Sequence, residues 1–208
     1  MFPLQSMPPE RFFKRGRPAD YAVLCPFTMK RRGDPFSANV AINMALINAN
    51  FKKRRLIRYH PFKYINFRYG RALRYTLASL VPPDIPGFWR SHYPQPLLKS
   101  TYEDVWAKEF PTLDHTCRRR LRTPGDVNDW LMRYWQLADG RFTPTSPNNR
   151  HYFTLGENVK GSLNAIRTQA YDMVCLNDNK AVSDIAELQK KVSEAFESIL
   201  PKKSGFEK

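Results

Sequence analysis

The 208 residues are 42% hydrophobic with a mean hydropathy of −0.57. That is enough apolar matter for a single core burying roughly 70% of the unfolded surface, so the chain need not be disordered. With 34 Lys and Arg against 19 Asp and Glu, the formal charge of +15 points to a polyanionic partner: nucleic acid, a phosphorylated polymer, a nucleotide or an anionic membrane face.

Cys25, Cys117 and Cys175 lie far apart without a C-x-x-C pair. They indicate neither a disulfide framework nor a zinc site, and a reducing compartment is the simpler reading. No apolar run approaches the ~20 residues that span a bilayer, and the N-terminus lacks a signal-peptide core. The expectation is a soluble protein, at most peripheral through its basic surface.

In chain order, Met1-Phe2-Pro3-Leu4 and Phe12-Phe13 make an apolar opening that predicts further chain before Met1. Asp20 to Thr28 reads as a buried strand stopping at Cys25, before Pro26, and Lys30 to Pro35 as a basic turn. Val40, Met44, Ile47 and Phe51 mark a helix with Asn39, Asn43, Asn48 and Asn50 on its other faces. Asparagine is a poor helix former, which leaves two readings open: contacts to sugar or phosphate, or solvated and capping side chains.

From Lys52 to Tyr75 cations alternate with aromatics, among them Arg54, Arg55, Arg58, Tyr59, Phe67, Arg68 and Arg71. Such a stretch neutralises phosphates and stacks bases, although no RNP, KH or zinc-finger pattern accompanies it. The other reading is a helix packed through its aromatics with the cations in water. Five prolines between Ser79 and Pro96 then predict an ordered loop. It is a rigid mount for His92, whose imidazole can take a proton near neutral pH; an ordinary surface histidine is the alternative.

Ser100 and Glu103 read as a capping box, with Tyr102, Val105, Trp106 and Phe110 on one helical face and Lys99 just before the helix. The link from Leu113 to Arg122 carries His115, read as structural, and Arg118, Arg119, Arg120 and Arg122. Guanidinium groups bind phosphate oxygens in pairs and offset charge built up in phosphoryl transfer, whereas a plain basic run is a solvated face. Thr123-Pro124-Gly125-Asp126 reads as a second helix start, continued by Val127, Trp130, Leu131 and Tyr134 and closed by Gly140.

Phe142 to Asn149 reads as a loop, His151 to Leu155 as a short strand and Asn158 to Thr168 as a short helix. Asp172 to Leu176 is predicted as a buried strand. A helix follows through Ile185, Leu188, Val192, Phe196 and Ile199, capped by Ser183 and ended by Pro201. Asn177 and Asp178 then fall beyond the carboxyl end of a strand, where α/β proteins bind ligands. The alternative is an Asx turn that merely starts the helix.

Four stretches carry a resemblance: His92 in Ser-His-Tyr-Pro-Gln-Pro, Lys99-Ser100, the Leu-Arg-Thr-Pro-Gly-Asp-Val-Asn segment, and Cys175-Leu176-Asn177-Asp178. Together and in this order they resemble the third and fourth conserved regions of the Stealth family, along nearly the whole chain. Those proteins are sugar-phosphate transferases of capsule and exopolysaccharide synthesis, similar to the lysosomal-enzyme N-acetylglucosamine phosphotransferase.

The resemblance implies an α/β fold, a partial Rossmann-like or glycosyltransferase-like domain with many helices and few strands. It would form one domain over residues 1–208 lacking its N-terminal part, with second-region-like, third-region-like and fourth-region-like segments at 1–87, 88–140 and 170–208. It implies transfer of a hexose 1-phosphate from a nucleotide-sugar donor to a hydroxyl of a polysaccharide acceptor. His92, Arg122 and Asp178 would be catalytic, and Lys99 and Asn177 substrate-binding. A divalent cation, Mg²⁺ or Mn²⁺, is expected from the family, with no full ligand set legible here. An acidic Asn-Asp-Asp motif is implied upstream, so this chain alone is expected to transfer little. The implied location is cytoplasmic, with peripheral contact to an anionic membrane face. The rival is a basic nucleic-acid-binding protein using Lys52 to Tyr75.

Overall fold

The computed structural model describes residues 2–3, 9–26, 35–90, 93–148, 150–178, 182, 184–202 and 205. Strand β1 (Phe2–Pro3) and a helical turn, α1 (Pro9–Phe12), precede the hairpin of β2 (Phe13–Lys14) and β3 (Arg17–Asp20). Helices α2 (Pro35–Asn50), α3 (Lys53–Tyr59) and α4 (Pro61–Tyr64) follow, then a 3-10 segment, Phe67–Ala72, and α5 (Leu73–Ala78). The rest of the chain forms α6 (Lys99–Cys117), α7 (Trp130–Ala138), β4 (Thr143–Pro144) and β5 (Arg150–Thr154), then α8 (Val159–Arg167), β6 (Met173–Asn177) and α9 (Ile185–Glu197). The fold is mixed α/β, with helices and two small three-stranded sheets. It divides into two compact units, one of residues 9–90 and 95–147, the other of residues 1–8, 91–94 and 148–208.

The larger unit is organised around α7. All nine of its residues are buried, including Arg133 and Gln136. Leu131, Tyr134, Trp135 and Leu137 join Val40, Met44 and Ile47 of α2 and Val105 and Leu113 of α6 in one core. Phe51 stands edge-on to Trp135, centroids 5.0 Å apart. A buried polar side chain costs free energy unless it is bonded, and both of those on α7 are. Gln136 donates to the Pro96 carbonyl and accepts from Leu98 N–H and the Thr101 hydroxyl. Gly140 ends the helix as its spacing predicts: φ is +69°, Gly140 N–H returns to the Leu137 carbonyl and Arg141 N–H to that of Gln136.

Three sequence expectations are corrected here. Residues Tyr21–Leu24 are buried and Cys25 half-buried, but they do not form a strand of a sheet; the strand is Arg17–Asp20, paired with β2 antiparallel and β4 parallel. One antiparallel bridge pairs Leu24 with Phe88, Cys25 N–H donating to the Gly87 carbonyl at 3.1 Å and Trp89 N–H to that of Val23 at 2.8 Å, and side chains take the other amides, Ala22 N–H donating to the Tyr69 hydroxyl at 3.2 Å and Leu24 N–H to Thr76 Oγ1 at 3.0 Å.

No capping box forms at Ser100. Helix α6 starts at Lys99 behind Leu98, and the Ser100 hydroxyl accepts from Arg141 at 3.3 Å. The helix also runs on through Pro111 to Cys117, because Glu109 leaves helical geometry (φ −119°, ψ 27°) and accommodates the proline. Thr123-Pro124-Gly125-Asp126 does not open α7, which begins at Trp130. Its N-cap, Asp129, makes no side-chain cap bond, and Asn128 Oδ1, five residues after the threonine, accepts Trp130 N–H at 3.2 Å.

The smaller unit holds a sheet in the order β1-β6-β5. Strands β5 and β6 are parallel, with Arg150 opposite Met173 and Thr154 opposite Asn177, and α8 is their crossover. Phe153, Leu163, Ile166 and Val174 pack with Val192, Ala195 and Phe196 of α9. Asn158 Oδ1 caps α8 by accepting Gly161 N–H at 3.0 Å, and Asp184 caps α9 by accepting Glu187 N–H at 2.8 Å. The expected cap, Ser183, lies outside the described residues.

Candidate functional site

Arg122 lies on the connection between α6 and α7, just before a turn closed twice between Thr123 and Asp126. Asp126 N–H donates to the Thr123 carbonyl at 3.1 Å, and Thr123 N–H to Asp126 Oδ2 at 2.5 Å. The turn is tied to α2 by asparagines. Asn39 Nδ2 donates to the Thr123 carbonyl at 2.9 Å and the Asp126 carbonyl at 2.5 Å. One helical turn on, Asn43 Nδ2 donates to Asn128 Oδ1 at 2.6 Å.

Asn48 likewise bonds both ways to the Ile85 backbone, at 3.0 and 2.8 Å, and Asn50 bonds Leu46 and Glu109. Asn39, Asn43 and Asn48 therefore follow neither reading from sequence: they hold loops that have no regular structure to satisfy their backbone, while Asn50 is exposed and bonds only helix residues.

Two of the loop cations are committed. Arg118 Nε pairs with Asp114 at 2.7 Å; Arg119 Nε lies 3.0 Å from His115 Nε2 and 3.5 Å from Asp126 Oδ1. Hydrogen bonding from Thr123 holds the Asp126 carboxyl below the usual carboxylate range, against the opposing effect of burial, with Arg119 and His115 adding to the depression. Arg122 is exposed and makes no hydrogen bond or ion pair among the described residues. Its guanidinium is open to an anion.

Lys99 is the first residue of α6, with its side chain 91% exposed and Glu103 at 3.6 Å. Helix α6 runs antiparallel to α7: Thr101 meets Gln136 at one end, and Thr116 Oγ1 accepts Val127 N–H at the other. Nineteen residues of helix span roughly 28 Å. The structure thus places Lys99 and Arg122 toward opposite ends of α6 and does not bring them together.

In the smaller unit Asn177 is the last residue of β6 and Asp178 the first beyond it. Leu155 N–H donates to the Asn177 carbonyl at 2.9 Å, extending the β5 pairing, and Asn177 Nδ2 donates to the Asp178 carbonyl at 2.9 Å. Both residues are exposed at the carboxyl end of a parallel strand. Tyr152 faces the same end: burial pushes its phenol up, and a hydrogen bond with the Asn177 side chain opposes the shift. Sequence pattern did not single out Tyr152, because only the pairing of β5 with β6 brings it to Asn177. His92 lies outside the described residues. Its neighbour Tyr93 carries the Arg150 guanidinium 5.7 Å from its ring centroid.

Among the described residues no three His, Cys, Asp or Glu side chains gather into a metal-holding cluster.

Residues 164–208 match Stealth protein CR4, conserved region 4. Among curated relatives, the capsular polysaccharide phosphotransferase WcwK of Streptococcus pneumoniae is 30% identical over 95% of this chain and 58% of its own. The receptor polysaccharide phosphotransferase WefC of Streptococcus gordonii is 34% identical over 96% and 59%, and the exopolysaccharide phosphotransferase cps2G of Lactiplantibacillus plantarum 35% over 98% and 60%. Residues 164–208 thus carry a conserved region of Stealth proteins, and the chain spans about three fifths of the length of these relatives.

Proposed function

We propose that the chain is part of a sugar-phosphate transferase of capsule or exopolysaccharide synthesis. It would move a hexose 1-phosphate from a nucleotide sugar to a sugar hydroxyl of a growing polysaccharide. The hydroxyl oxygen attacks the phosphorus that bears the hexose, the bond from that phosphorus to the nucleoside monophosphate breaks, and the hydroxyl proton passes to a base. A phosphodiester and a nucleoside monophosphate are the products.

In this reading His92 is the base, Arg122 offsets charge on the transferring phosphoryl group, and Asp178 and Asn177 orient donor or acceptor at the end of β6. Lys99 is a weaker phosphate contact. A divalent cation, Mg²⁺ or Mn²⁺, belongs to the proposal only with ligands beyond those described here. The parallel β5-α8-β6 unit supports a partial Rossmann-like or glycosyltransferase-like domain. No described helix is long and apolar enough to cross a membrane; a cytoplasmic enzyme that meets its acceptor at the membrane face fits the charge. Nothing in the relatives favours the nucleic-acid reading of Lys52 to Tyr75.

The observation that carries the proposal is Arg122: unlike Arg118 and Arg119 it is uncommitted, on a turn pinned to α2 by Asn39. The test is to purify the protein in the form its own cells produce, supply nucleotide sugars and acceptor oligosaccharide, and follow phosphorus by ³¹P NMR. Equal amounts of phosphodiester and nucleoside monophosphate are expected. Release of free sugar phosphate or inorganic phosphate with no diester would reject transfer.

A further inference from the structure

Between Asp34 and Asp84 the sequence has no Asp or Glu and nine Lys and Arg, all nine from Lys52 to Arg74. The structure sorts these cations into two kinds. Lys53 is buried and donates to the Ser79 carbonyl at 2.7 Å; Lys63 donates to the Gly140 carbonyl and lies 5.5 Å from the centre of the Phe142 ring. These two hold the fold together. Lys52, Arg54, Arg55, Arg58, Arg68, Arg71 and Arg74 are exposed.

The aromatics divide in the same way. Tyr64 and Tyr69 are fully buried, with their hydroxyls donating to the Leu137 and Lys63 carbonyls. Phe62 is 82% exposed, Phe67 95% and Tyr59 68%. Each short element thus turns one side inward (Lys53 and Leu56 on α3, Tyr64 on α4, Tyr69 on the 3-10 segment) and carries a bare aromatic ring elsewhere. Two adjoining grooves, of about 460 and 440 Å³, share Lys52, Arg55 and Tyr59. The acid lining the first of them, Asp139, is held by Arg141 at 2.6 Å.

We infer that the outer surface of residues 52–74 docks on an anionic lipid bilayer. The exposed cations meet headgroup phosphates, in the grooves along α3 and around Arg68 and Arg71, while Phe62 and Phe67 enter the interface. The bare phenyl rings select a membrane over a soluble polyanion. A phenyl ring carries no polar atom for phosphate or sugar hydroxyls, and water is its least favourable surrounding. The guanidinium groups flanking it suit a sheet of anionic headgroups. The inference is independent of the transferase reading.

The test is co-sedimentation of the intact chain with vesicles of phosphatidylcholine, alone or with about a third phosphatidylglycerol. Binding is expected to the anionic vesicles, weakened on the order of tenfold or more without the anionic lipid or with added salt. Phe62→Ser with Phe67→Ser, and Arg54→Gln with Arg55→Gln and Arg58→Gln, should each weaken it by a similar factor. Arg122→Ala should leave it unchanged, which separates this result from the fate of the transferase proposal. Both sets are on exposed positions, so thermal unfolding should stay in place and certify the fold. Equal binding to both vesicle types, or none, overturns the inference. So does binding to RNA or a phosphodiester polysaccharide that needs the arginines while the phenylalanine pair is dispensable.

Discussion

Asp20 and Arg133, 113 residues apart, form a two-point ion pair inside the larger unit, Nε to Oδ2 and Nη2 to Oδ1, each at 2.9 Å. The guanidinium also donates to the Trp89 and Tyr21 carbonyls at 3.0 Å and lies 5.0 Å from the Tyr21 ring centre. Burial disfavours the charge on Arg133, and Asp20 more than offsets it, so the arginine stays protonated at any working pH. One pair thereby joins strand β3 to α7 and to the backbone at Trp89.

Arg133→Met should cost about 3–5 kcal/mol, because it leaves Asp20 buried and unpaired. Adding Asp20→Asn should recover part of that loss. Urea denaturation of the single and double variants checks both; a double variant as unstable as the sum of the singles would mean the two side chains act separately.

Asn39 is a donor whose oxygen has no partner among the described residues, so only its amide nitrogen holds the Thr123–Asp126 turn. Asn39→Ala should cost about 2–3 kcal/mol. Asn39→Asp, equal in size, should cost more, since a carboxylate would face two carbonyl oxygens. If Asn39→Asp proves the milder change, the donor role assigned to the nitrogen is wrong.

Gly140 has φ +69°, and a Cβ built there would lie 2.5 Å from His60 Cδ2. Gly140→Ala should lower stability by about 2 kcal/mol or more, combining left-handed strain with displacement of the imidazole. Thermal melting of this variant and of Gly125→Ala, where a Cβ meets nothing within 4 Å, makes the comparison.

Burial, with Lys63 and Arg17 nearby, pushes the His60 imidazole below its usual value despite Asp139. In the unfolded chain the same group takes its proton near pH ~6.5. Below that pH the unfolded state binds more protons than the folded one, so stability should fall as pH drops through about 6.5 and level off once the folded group also protonates. His60→Gln should flatten melting temperature across that window. An unchanged slope would place the titration elsewhere.

What was legible in sequence was whatever rests on local rules. Gly140, the strand at Met173–Asn177, the helix at Ile185 and the placing of Asn177 and Asp178 at a strand end all follow from periodicity and turn chemistry. The misreadings share one cause. Ser100, Thr123 and the apolar run at Tyr21–Cys25 each satisfy a local template, but distant groups claim them: Arg141 takes the serine, Asn39 draws the threonine turn to α2, and Tyr69 and Thr76 take the backbone of the run. Asn39 and Asp126 are 87 residues apart, and Arg133 reads in sequence as one more helix-face cation. No periodicity reports such pairings.

The most direct test of the transferase account is Arg122→Ala in the protein as its cells make it, assayed by ³¹P NMR for phosphodiester and nucleoside monophosphate beside a thermal melt. Loss of transfer by about 10²–10³-fold with the melt unmoved is the predicted result, since the side chain is exposed and unbonded in the fold. Full transfer by this variant would contradict the role given to Arg122 and, with it, the site proposed here.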